Sequence, residues 1–307
     1  MMEGETAPKS AAAVRPPVSI SFEFFPPKSP AGEENLWRAA GRLAALQPAF
    51  CSLTYGANGS SQENALRWLG SLQKESKRPV AAHLTCVGAS RGAVDDIARG
   101  FWDIGIRHIV ALRGDAPDAT QKFQPHPDGY ANAAELVAGL KRIGDFEISV
   151  AAYPEIHPDA TSSIADLDHL KRKIDAGATR AMTQFFFEPE TFLRFADRAQ
   201  MHGIDVPIIP GILTSPNFPH VIRMARRCGT SIPAWLTHMV EGLEQEPEVR
   251  KLVAMTIALE QCRRLYQAGV RDFHFYTLNH ADLSQAICHM LGFRAIASTG
   301  APGEIAA

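Results

Sequence analysis

The sequence predicts an α/β protein folded as a (β/α)8 TIM barrel, with extra helices before the last strand. Eight short apolar segments alternate with helical segments at intervals of about 30 residues, and repeated βα units of this kind form a parallel sheet. Polar and glycine-rich residues follow these segments, as they do at the functional end of a barrel. A doubly wound open sheet is the main alternative.

The predicted strands are short runs of apolar and β-branched residues that end at polar or glycine-containing turns. They cover residues 19–24, 49–53, 79–84, 108–112, 147–151, 179–183, 206–210 and 272–276. The predicted helices have apolar residues at three- and four-residue intervals, and Gly105, Gly177 and Gly203 end three of them. They cover residues 33–46, 62–76, 91–104, 132–143, 163–176, 190–202, 218–228, 233–241, 246–268 and 282–291. The extra helices are those at 233–241 and 246–268.

Composition is typical of a soluble globular protein. The 307 residues are 46% hydrophobic and 21% charged, with a net charge of −2. This balance argues against a nucleic-acid partner, and no apolar run approaches the roughly 18 residues that would span a membrane. We expect residues 1–17 to be a disordered lead, 18–294 a single catalytic barrel domain and 295–307 a flexible tail.

Cysteine usage indicates a reducing compartment. The five cysteines form no CxxC pair, and Cys51, Cys86 and Cys288 stand in apolar or helical contexts that favour burial. The pattern predicts a cytoplasmic protein without a zinc site, and no other metal-ligand cluster is evident.

The first predicted strand carries an unusual carboxylate. Glu23 stands among Phe22, Phe24 and Phe25, and two prolines that cannot continue the strand follow. We expect the phenylalanines to form an apolar wall that favours the neutral, proton-donating carboxylic acid. The alternative is a structural carboxylate paired with Lys28 at a sheet edge.

Polar side chains lie at or just after the ends of seven predicted strands, the first included. In a barrel they would all face one mouth, which strengthens the interpretation of Glu23 as a functional carboxylate. The residues are Glu23, Thr54, His83, Asp115, Tyr153, Gln184 and Tyr276.

Two glycine-containing loops are candidate ligand contacts. The loop at 56–61 could bring backbone N–H groups to a phosphate or a planar ligand, or could be a plain βα turn. In Arg113-Gly114-Asp115, the aspartate could orient a cofactor, or it could pair with the arginine to close a turn.

The second half of the chain offers three further groups. Tyr153 provides a stacking face and His157 a hydrogen bond, on a proline-braced loop. The basic run 171–173 could neutralise a diphosphate, or could be a solvated helix face. Gln184 both donates and accepts, which suits an aminopyrimidine-like ring.

Common cofactor and nucleophile motifs are missing. The sequence contains no GxGxxG after its first strand, no GxxxxGK[ST], no HExxH and no GxSxG. If the protein is a redox enzyme, it would therefore not bind its dinucleotide through a Rossmann-type glycine motif.

Nine ordered motifs carry a family resemblance over residues 18–293. They are SFEFFPPK (21–28), LTYG (53–56), HLTC (83–86), LRGD (112–115), AYPEIHP (152–158), LKRKIDAGA (170–178), TQFFF (183–187), IPGIL (209–213) and DFHFYTLN (272–279). Together they resemble the methylenetetrahydrofolate reductase family in its short bacterial form. The resemblance implies an FAD enzyme in which NADH or NADPH reduces the flavin. The oxidised nicotinamide then leaves, and 5,10-methylenetetrahydrofolate binds in the same place and is reduced to 5-methyltetrahydrofolate, in a ping-pong reaction.

The resemblance also implies residue roles. Glu23 would protonate N10 of the folate, opening the ring to a 5-iminium cation that accepts hydride. Asp115 would tune the flavin and stabilise the cation, and Gln184 would contact folate and nicotinamide. FAD-binding positions are Thr54, His83, Leu112, Arg113, Gly114, Asp115, Tyr130, Ala131, Tyr153, His157, Ala160, Asp166, His169, Arg172 and Lys173. Substrate-binding positions are Glu23, Asp115, Gln184, His220, Tyr276, Leu278 and His280. The chain departs from the family pattern at His220, Met224 and His280.

Two other functions stay open at this point. One is oxidation of 5-methyltetrahydrofolate, the same chemistry in reverse. The other is a folate- or flavin-binding barrel without catalysis. The partner expected beyond the small molecules is another copy of the chain, since the exposed helices of such barrels often assemble.

Overall fold

The computed structural model describes residues 18–54, 62–115 and 123–295. The predicted N-terminal lead, the glycine-rich loop at 56–61 and all but the first residue of the predicted tail lie outside the described residues.

Nine parallel strands form the barrel, which confirms the predicted fold. They are β1 (Ser19–Phe24), β2 (Phe50–Leu53), β3 (Val80–Thr85), β4 (His108–Leu112), β5 (Glu147–Ala152), β6 (Arg180–Thr183), β7 (Ile208–Ile209), β8 (Gly211–Leu213) and β9 (Asp272–Tyr276). Their hydrogen-bonded order is β7-β6-β5-β4-β3-β2-β1-β9-β8.

The strand predicted at residues 206–210 is wrong in its bounds. The structure has two short pieces there, β7 and β8, on either side of Pro210. β7 pairs with β6 and β8 pairs with β9, so this one broken segment joins both ends of the strand order and brings the barrel to near closure. Proline has no N–H for a ladder, but its carbonyl still accepts from the His274 N–H at 3.0 Å.

Ten helices are described. They are α1 (Pro30–Ala44), α2 (Gln62–Ser76), α3 (Arg91–Asp103), α4 (Ala133–Ile143), α5 (Ser163–Asp175), α6 (Pro189–Met201), α7 (Phe218–Cys228), α8 (Ala234–Val240), α9 (Pro247–Gln267) and α10 (Asp282–Met290). The two extra helices, α8 and α9, precede β9 as predicted.

The first helix begins earlier than its predicted start at residue 33. Ser29 caps α1, because its hydroxyl accepts from the Gly32 N–H at 3.2 Å, and Pro30 occupies the first turn, where it needs no donor. The apolar periodicity begins only later in the helix, which is why the sequence pattern misses this first turn.

The main core fills the layer between strands and helices. It contains the outward-facing residues of the strands, such as Phe22 and Phe275, whose rings lie 5.8 Å apart. A smaller apolar cluster lies inside the barrel, built on Phe50, Val110 and Met182. Cys51, Cys86 and Cys288 are buried, as predicted.

The barrel interior is unusually polar. Its buried residues include three histidines, His83, His108 and His274, and several serines on neighbouring strands. The interiors of such barrels are dominated by branched apolar side chains, so this polarity marks a functional interior. Within the described ranges, no helix is long and apolar enough to cross a membrane.

Candidate active site

Glu23 points into the barrel near the end of β1. Its side chain is 8% exposed, and its Oε2 lies 3.4 Å from Nε2 of His83 and 3.6 Å from Nε2 of His274. These separations exceed a good hydrogen bond, and both nitrogens, with the hydroxyl of Ser52, are buried without a partner among the described residues. Unpaired buried polar atoms are costly, so a further polar partner would stabilise these three atoms.

The expected phenylalanine wall around Glu23 is wrong. Successive side chains of a strand point to opposite faces, so Phe22 and Phe24 face the helices and belong to the main core. The neighbours of Glu23 are imidazoles instead. The alternative pairing with Lys28 is also not what the structure shows, because Lys28 is exposed outside the barrel interior.

Two imidazoles flank the Glu23 carboxyl group. Burial lowers the pKa of His83, an effect that nearby Glu23 opposes and His274 reinforces, so this ring is neutral at neutral pH. A neutral imidazole nitrogen can accept from a protonated carboxyl group or, in the other tautomer, donate to a carboxylate. Nδ1 of His274 shares a hydrogen bond of 2.8 Å with the Ser21 hydroxyl. We call Ser21, Glu23, His83 and His274 the axial cluster.

Tyr276 closes the barrel beside this cluster. Its hydroxyl donates to the Thr183 carbonyl at 2.7 Å, and its ring meets His274 edge-on at 5.2 Å. Burial, followed by the Glu23 charge, raises the pKa of Tyr276 well above its usual value, so the phenol stays neutral. Gly211 is required here, because a Cβ would lie 2.2 Å from the Thr183 carbonyl oxygen.

A second group of residues lies after β4 and β5, and it is charged. Arg113 pairs with Asp159 at 2.8 Å rather than with Asp115, so the proposed arginine–aspartate turn closure is absent. The Lys173 ammonium donates to the Ala151 carbonyl at 2.5 Å, and the Asp166 carboxylate accepts from the His157 N–H at 3.0 Å. We call Arg113, His157, Asp159, Asp166 and Lys173 the charged flank.

The basic run on α5 divides between two roles. Lys171 pairs with Asp175 one turn along the helix, whereas Lys173 turns inward to β5. Burial lowers the pKa of Lys173 to about 8, with Asp166 opposing the effect and Arg113 adding to it. A cation held at this cost is suited to an anionic ligand.

The turn after β4 presents Asp115 to solvent. Gly114 has φ +87°, and a Cβ there would lie 2.5 Å from Cγ1 of Val87, so only glycine fits. Asp115 is exposed. Its charge is therefore available at the mouth but screened by water.

Gln184 and its neighbours form the opposite rim. The side-chain carbonyl of Gln184 accepts from the Phe185 N–H at 3.0 Å, which leaves its NH₂ group to donate to a ligand. Thr230 donates to the Phe185 carbonyl and Gln261 to the Phe186 carbonyl, both from buried side chains. The segment is thus held in place by its main chain.

The structure brings most predicted site residues to the carboxyl ends of the strands. Thr54, Leu112 and Tyr153 are half-buried there, with the Tyr153 ring edge-on to His157 at 4.5 Å. Ala160 closes the same loop by donating to the His157 carbonyl at 2.8 Å. Leu278 follows β9 in a left-handed conformation.

Other predicted site residues lie farther out. Tyr130 is fully buried and donates to Asp95 on α3, and Ala131 next to it is exposed. His169 and Arg172 are exposed on α5, where they share a hydrogen bond of 2.7 Å. The three departures from the family pattern lie on two segments: His220 and Met224 are half-buried on α7, and His280 is exposed before α10.

Sequence reasoning missed His274, Ser21 and Ser52. The signal was available, because strict alternation along β1 and β9 places Ser21 and His274 on the same face as Glu23. In the part of the chain that the structure describes, no group of three or more His, Cys, Asp or Glu residues could hold a metal ion.

The donor set of the charged flank fits the diphosphate of the implied FAD. Arg113 and Lys173 supply half-buried cations, and Arg172 is an exposed one nearby on α5. Asp166 and His157 add polar groups of the kind that bind ribose hydroxyls.

Comparison with known proteins gives one consistent family. The family model described as methylenetetrahydrofolate reductase matches residues 10–292. The chain is 49% identical to the 5,10-methylenetetrahydrofolate reductase of Pectobacterium carotovorum over 94% of this chain and 95% of that protein. It is 49% identical to the Escherichia coli protein of the same name, over 93% of this chain and 95% of that one.

Among solved structures, one similar fold is a protein from Clostridium thermocellum described as binding two copies of 5-methyl-5,6,7,8-tetrahydrofolic acid. Its TM-score is 0.62 at 14% identity, covering 88% of this chain and 93% of that one. At this identity the likeness shows the barrel fold alone.

Proposed function

The chain belongs to the methylenetetrahydrofolate reductase family, and from this premise we propose that it reduces 5,10-methylenetetrahydrofolate to 5-methyltetrahydrofolate with electrons from NADH or NADPH. FAD would carry the electrons in a ping-pong sequence, receiving a hydride from the nicotinamide and passing it to the folate. The observation that carries the proposal is the buried Glu23, which faces two imidazole nitrogens that have no other partner among the described residues.

Glu23 acts as the general acid. Its proton goes to N10 of the folate, the N10–methylene bond breaks, and the five-membered ring opens to a 5-iminium cation. Burial disfavours the charged imidazolium form of His83, so transfer of a proton from the acid to this ring is disfavoured. Once the proton has left, an Nε2–H of His83 or His274 can donate to the carboxylate and stabilise it.

The other residues bind and orient. Asp115 places a negative charge at the mouth that favours the cationic folate. Gln184 has its NH₂ group free to donate to the pterin or to the nicotinamide. Arg113 and Lys173 of the charged flank would hold the diphosphate of FAD.

Anaerobic stopped-flow of the purified protein tests this function. FAD-loaded protein should be yellow, lose its colour with NADH or NADPH, and regain it with 5,10-methylenetetrahydrofolate as 5-methyltetrahydrofolate forms. A colourless protein that FAD does not reconstitute would instead favour a folate-binding barrel without catalysis.

We also propose that the protein works in the reducing cytoplasm as a homo-oligomer. All five cysteines are free thiols, which suits that compartment. Met239, Val249 and Leu252, on α8 and α9, are each more than 40% exposed, and a second copy would cover them. Light scattering after gel filtration measures the assembly directly, and a monomeric mass would contradict it.

A further inference from the structure

The turn after β9 is hydrogen-bonded to the main chain of β1 at Glu23. The β1–β9 ladder ends with Glu23 opposite Tyr276. At the next residue, Thr277, the hydroxyl donates to the Glu23 carbonyl at 2.6 Å, and its N–H points to the same carbonyl at 3.4 Å. Thr277 is fully buried, so water does not compete for this carbonyl.

Two residues later, Asn279 binds the main chain beyond the acid. Its Oδ1 accepts from the Phe25 N–H at 2.9 Å, and its Nδ2 donates to the Phe25 carbonyl at 2.9 Å. A neutral carboxamide is the side-chain group that can make both bonds at once. Asn279 therefore takes the place of one more ladder residue, just before the two prolines at which β1 cannot continue.

This turn holds an uncommon backbone conformation. Leu278 has φ +49° and Asn279 has φ +60°, two consecutive non-glycine residues in the left-handed region. Such strain persists only where surrounding contacts determine it, and it concentrates at functional sites. Here the determining contacts are the bonds to Glu23 and Phe25, together with the Asn279 N–H donating to the Thr277 hydroxyl at 3.2 Å.

We propose that Thr277 and Asn279 are positioning residues for Glu23. Their hydrogen bonds to the main chain of Glu23 and Phe25, which we call the clamp, fix how far along the barrel axis the Glu23 carboxyl group lies. The inference rests on the proposed role of Glu23 as general acid. Neither side chain needs to touch substrate for this purpose, because both act on the main chain on either side of Phe24. Misplacing a catalytic group by about 1 Å can slow its step by about a hundredfold, so a loosened clamp would slow proton transfer.

A matched control exists at the other end of the barrel. The N–H and hydroxyl of Thr179 both bind the Ile148 carbonyl, at 2.8 and 3.2 Å, in the same double arrangement as Thr277. Thr179 lies before β6, at the amino-terminal end of the strands. Thr179→Val therefore removes an equivalent bond far from the acid, though from a more exposed position.

The test compares the two half-reactions in flavin-loaded enzyme. Thr277→Val and Asn279→Ala should each slow the folate half-reaction about tenfold or more, mainly in its maximal rate rather than in the folate concentration dependence. Reduction by NADH should stay within about twofold of wild type, because it needs no proton from Glu23. Thr277→Ser keeps the hydroxyl and should restore the folate rate, and Thr179→Val should leave both rates unchanged. Equal loss in both half-reactions, or no loss in either, would overturn the proposal.

Hydrogen exchange gives a readout that needs no catalysis. The Phe25 amide should be protected in the wild-type protein without ligands and should exchange about tenfold faster in Asn279→Ala. An unprotected Phe25 amide in wild type would overturn the clamp even if a variant failed to fold. Glu23→Gln separates the two proposals: if it stops the folate half-reaction and the clamp variants do not slow it, the clamp alone is wrong. If Glu23→Gln has no effect, the proposed function of the acid is wrong.

Discussion

The axial cluster and the charged flank lie at the same mouth but are built differently. The axial cluster is buried, with one hydrogen bond between Ser21 and His274 and two imidazole nitrogens 3.4 and 3.6 Å from the Glu23 carboxyl group. The charged flank is half-buried to exposed, and its contacts are ion pairs and charge-assisted bonds to main chain. The first arrangement suits moving a proton, and the second suits holding an anion.

This difference teaches which residues to assign to which half-reaction. Burial excludes water from Glu23, so we propose the axial cluster for the folate step. The cations of the flank keep part of their hydration, and we propose them for cofactor binding. The two regions should therefore respond differently to substitution and to pH.

The barrel interior should lose stability in acid. Burial, with Arg180, His83 and His274 nearby, lowers the pKa of His108 to about 3, whereas an unfolded histidine titrates near its ordinary value. The unfolded chain thus takes up the proton first, so this contribution is present above about pH 6.5 and is lost as the pH falls. His108→Gln keeps a group for the 2.7 Å bond to Ser149 but cannot titrate.

Urea unfolding at two pH values checks this expectation. Between pH 7 and pH 5, wild type should lose about 2 kcal/mol more unfolding free energy than His108→Gln. Equal losses in the two proteins would show that His108 is not held neutral in the native barrel.

Asp115→Asn should have a smaller effect than any change in the axial cluster. The carboxylate is exposed, so solvent screens its attraction for a cationic folate. We expect a folate half-reaction slowed by about tenfold or less, or about 1.4 kcal/mol, and an altered rate of flavin reduction. Stopped-flow of both half-reactions measures it. Wild-type rates in both half-reactions of Asp115→Asn would show that Asp115 has no role in either step.

The charged flank should also gain stability as the pH rises, but in a higher pH range than the interior. The pKa of Lys173 is lowered to about 8, so the unfolded chain binds more protons than the native one above that pH. Native stability therefore rises as the pH rises from 8 toward the ordinary lysine value. Relative to Lys173→Met, ligand-free wild type should gain about 1 kcal/mol between pH 8 and pH 9.5, allowing for partial solvent screening. If the difference in unfolding free energy between wild type and Lys173→Met does not change with pH, the pKa of Lys173 is not lowered in the native protein.

The sequence predicted the order of strands and helices better than it predicted the neighbours of Glu23. Alternating periodicities and glycine stops are local signals, so the βα order emerged directly. The broken strand at Pro210 did not, because pairing of its two halves with β6 and β9 is set by closure of the whole sheet. The phenylalanine wall was wrong for a different reason: side chains alternate between the two faces of a strand, so the residues adjacent to Glu23 in sequence lie on the opposite face of β1.

Contacts across the barrel were beyond local reasoning. His83 and His274 meet Glu23 from β3 and β9, and Asn279 reaches Phe25 across 254 positions of sequence. Arg113 likewise pairs with Asp159, in the loop after β5, rather than with Asp115, which is nearer in sequence. The chemistry-bearing residue types were readable, but their partners depended on the fold.

Glu23→Gln tests the central assignment most directly. Glutamine keeps the shape but has no acidic proton, and general acid catalysis contributes about 10²–10⁴-fold. The FAD-loaded variant should lose its colour with NADH at close to the wild-type rate and then regain it with 5,10-methylenetetrahydrofolate at least a hundredfold more slowly. Recovery of the colour within tenfold of the wild-type rate would contradict Glu23 as the acid.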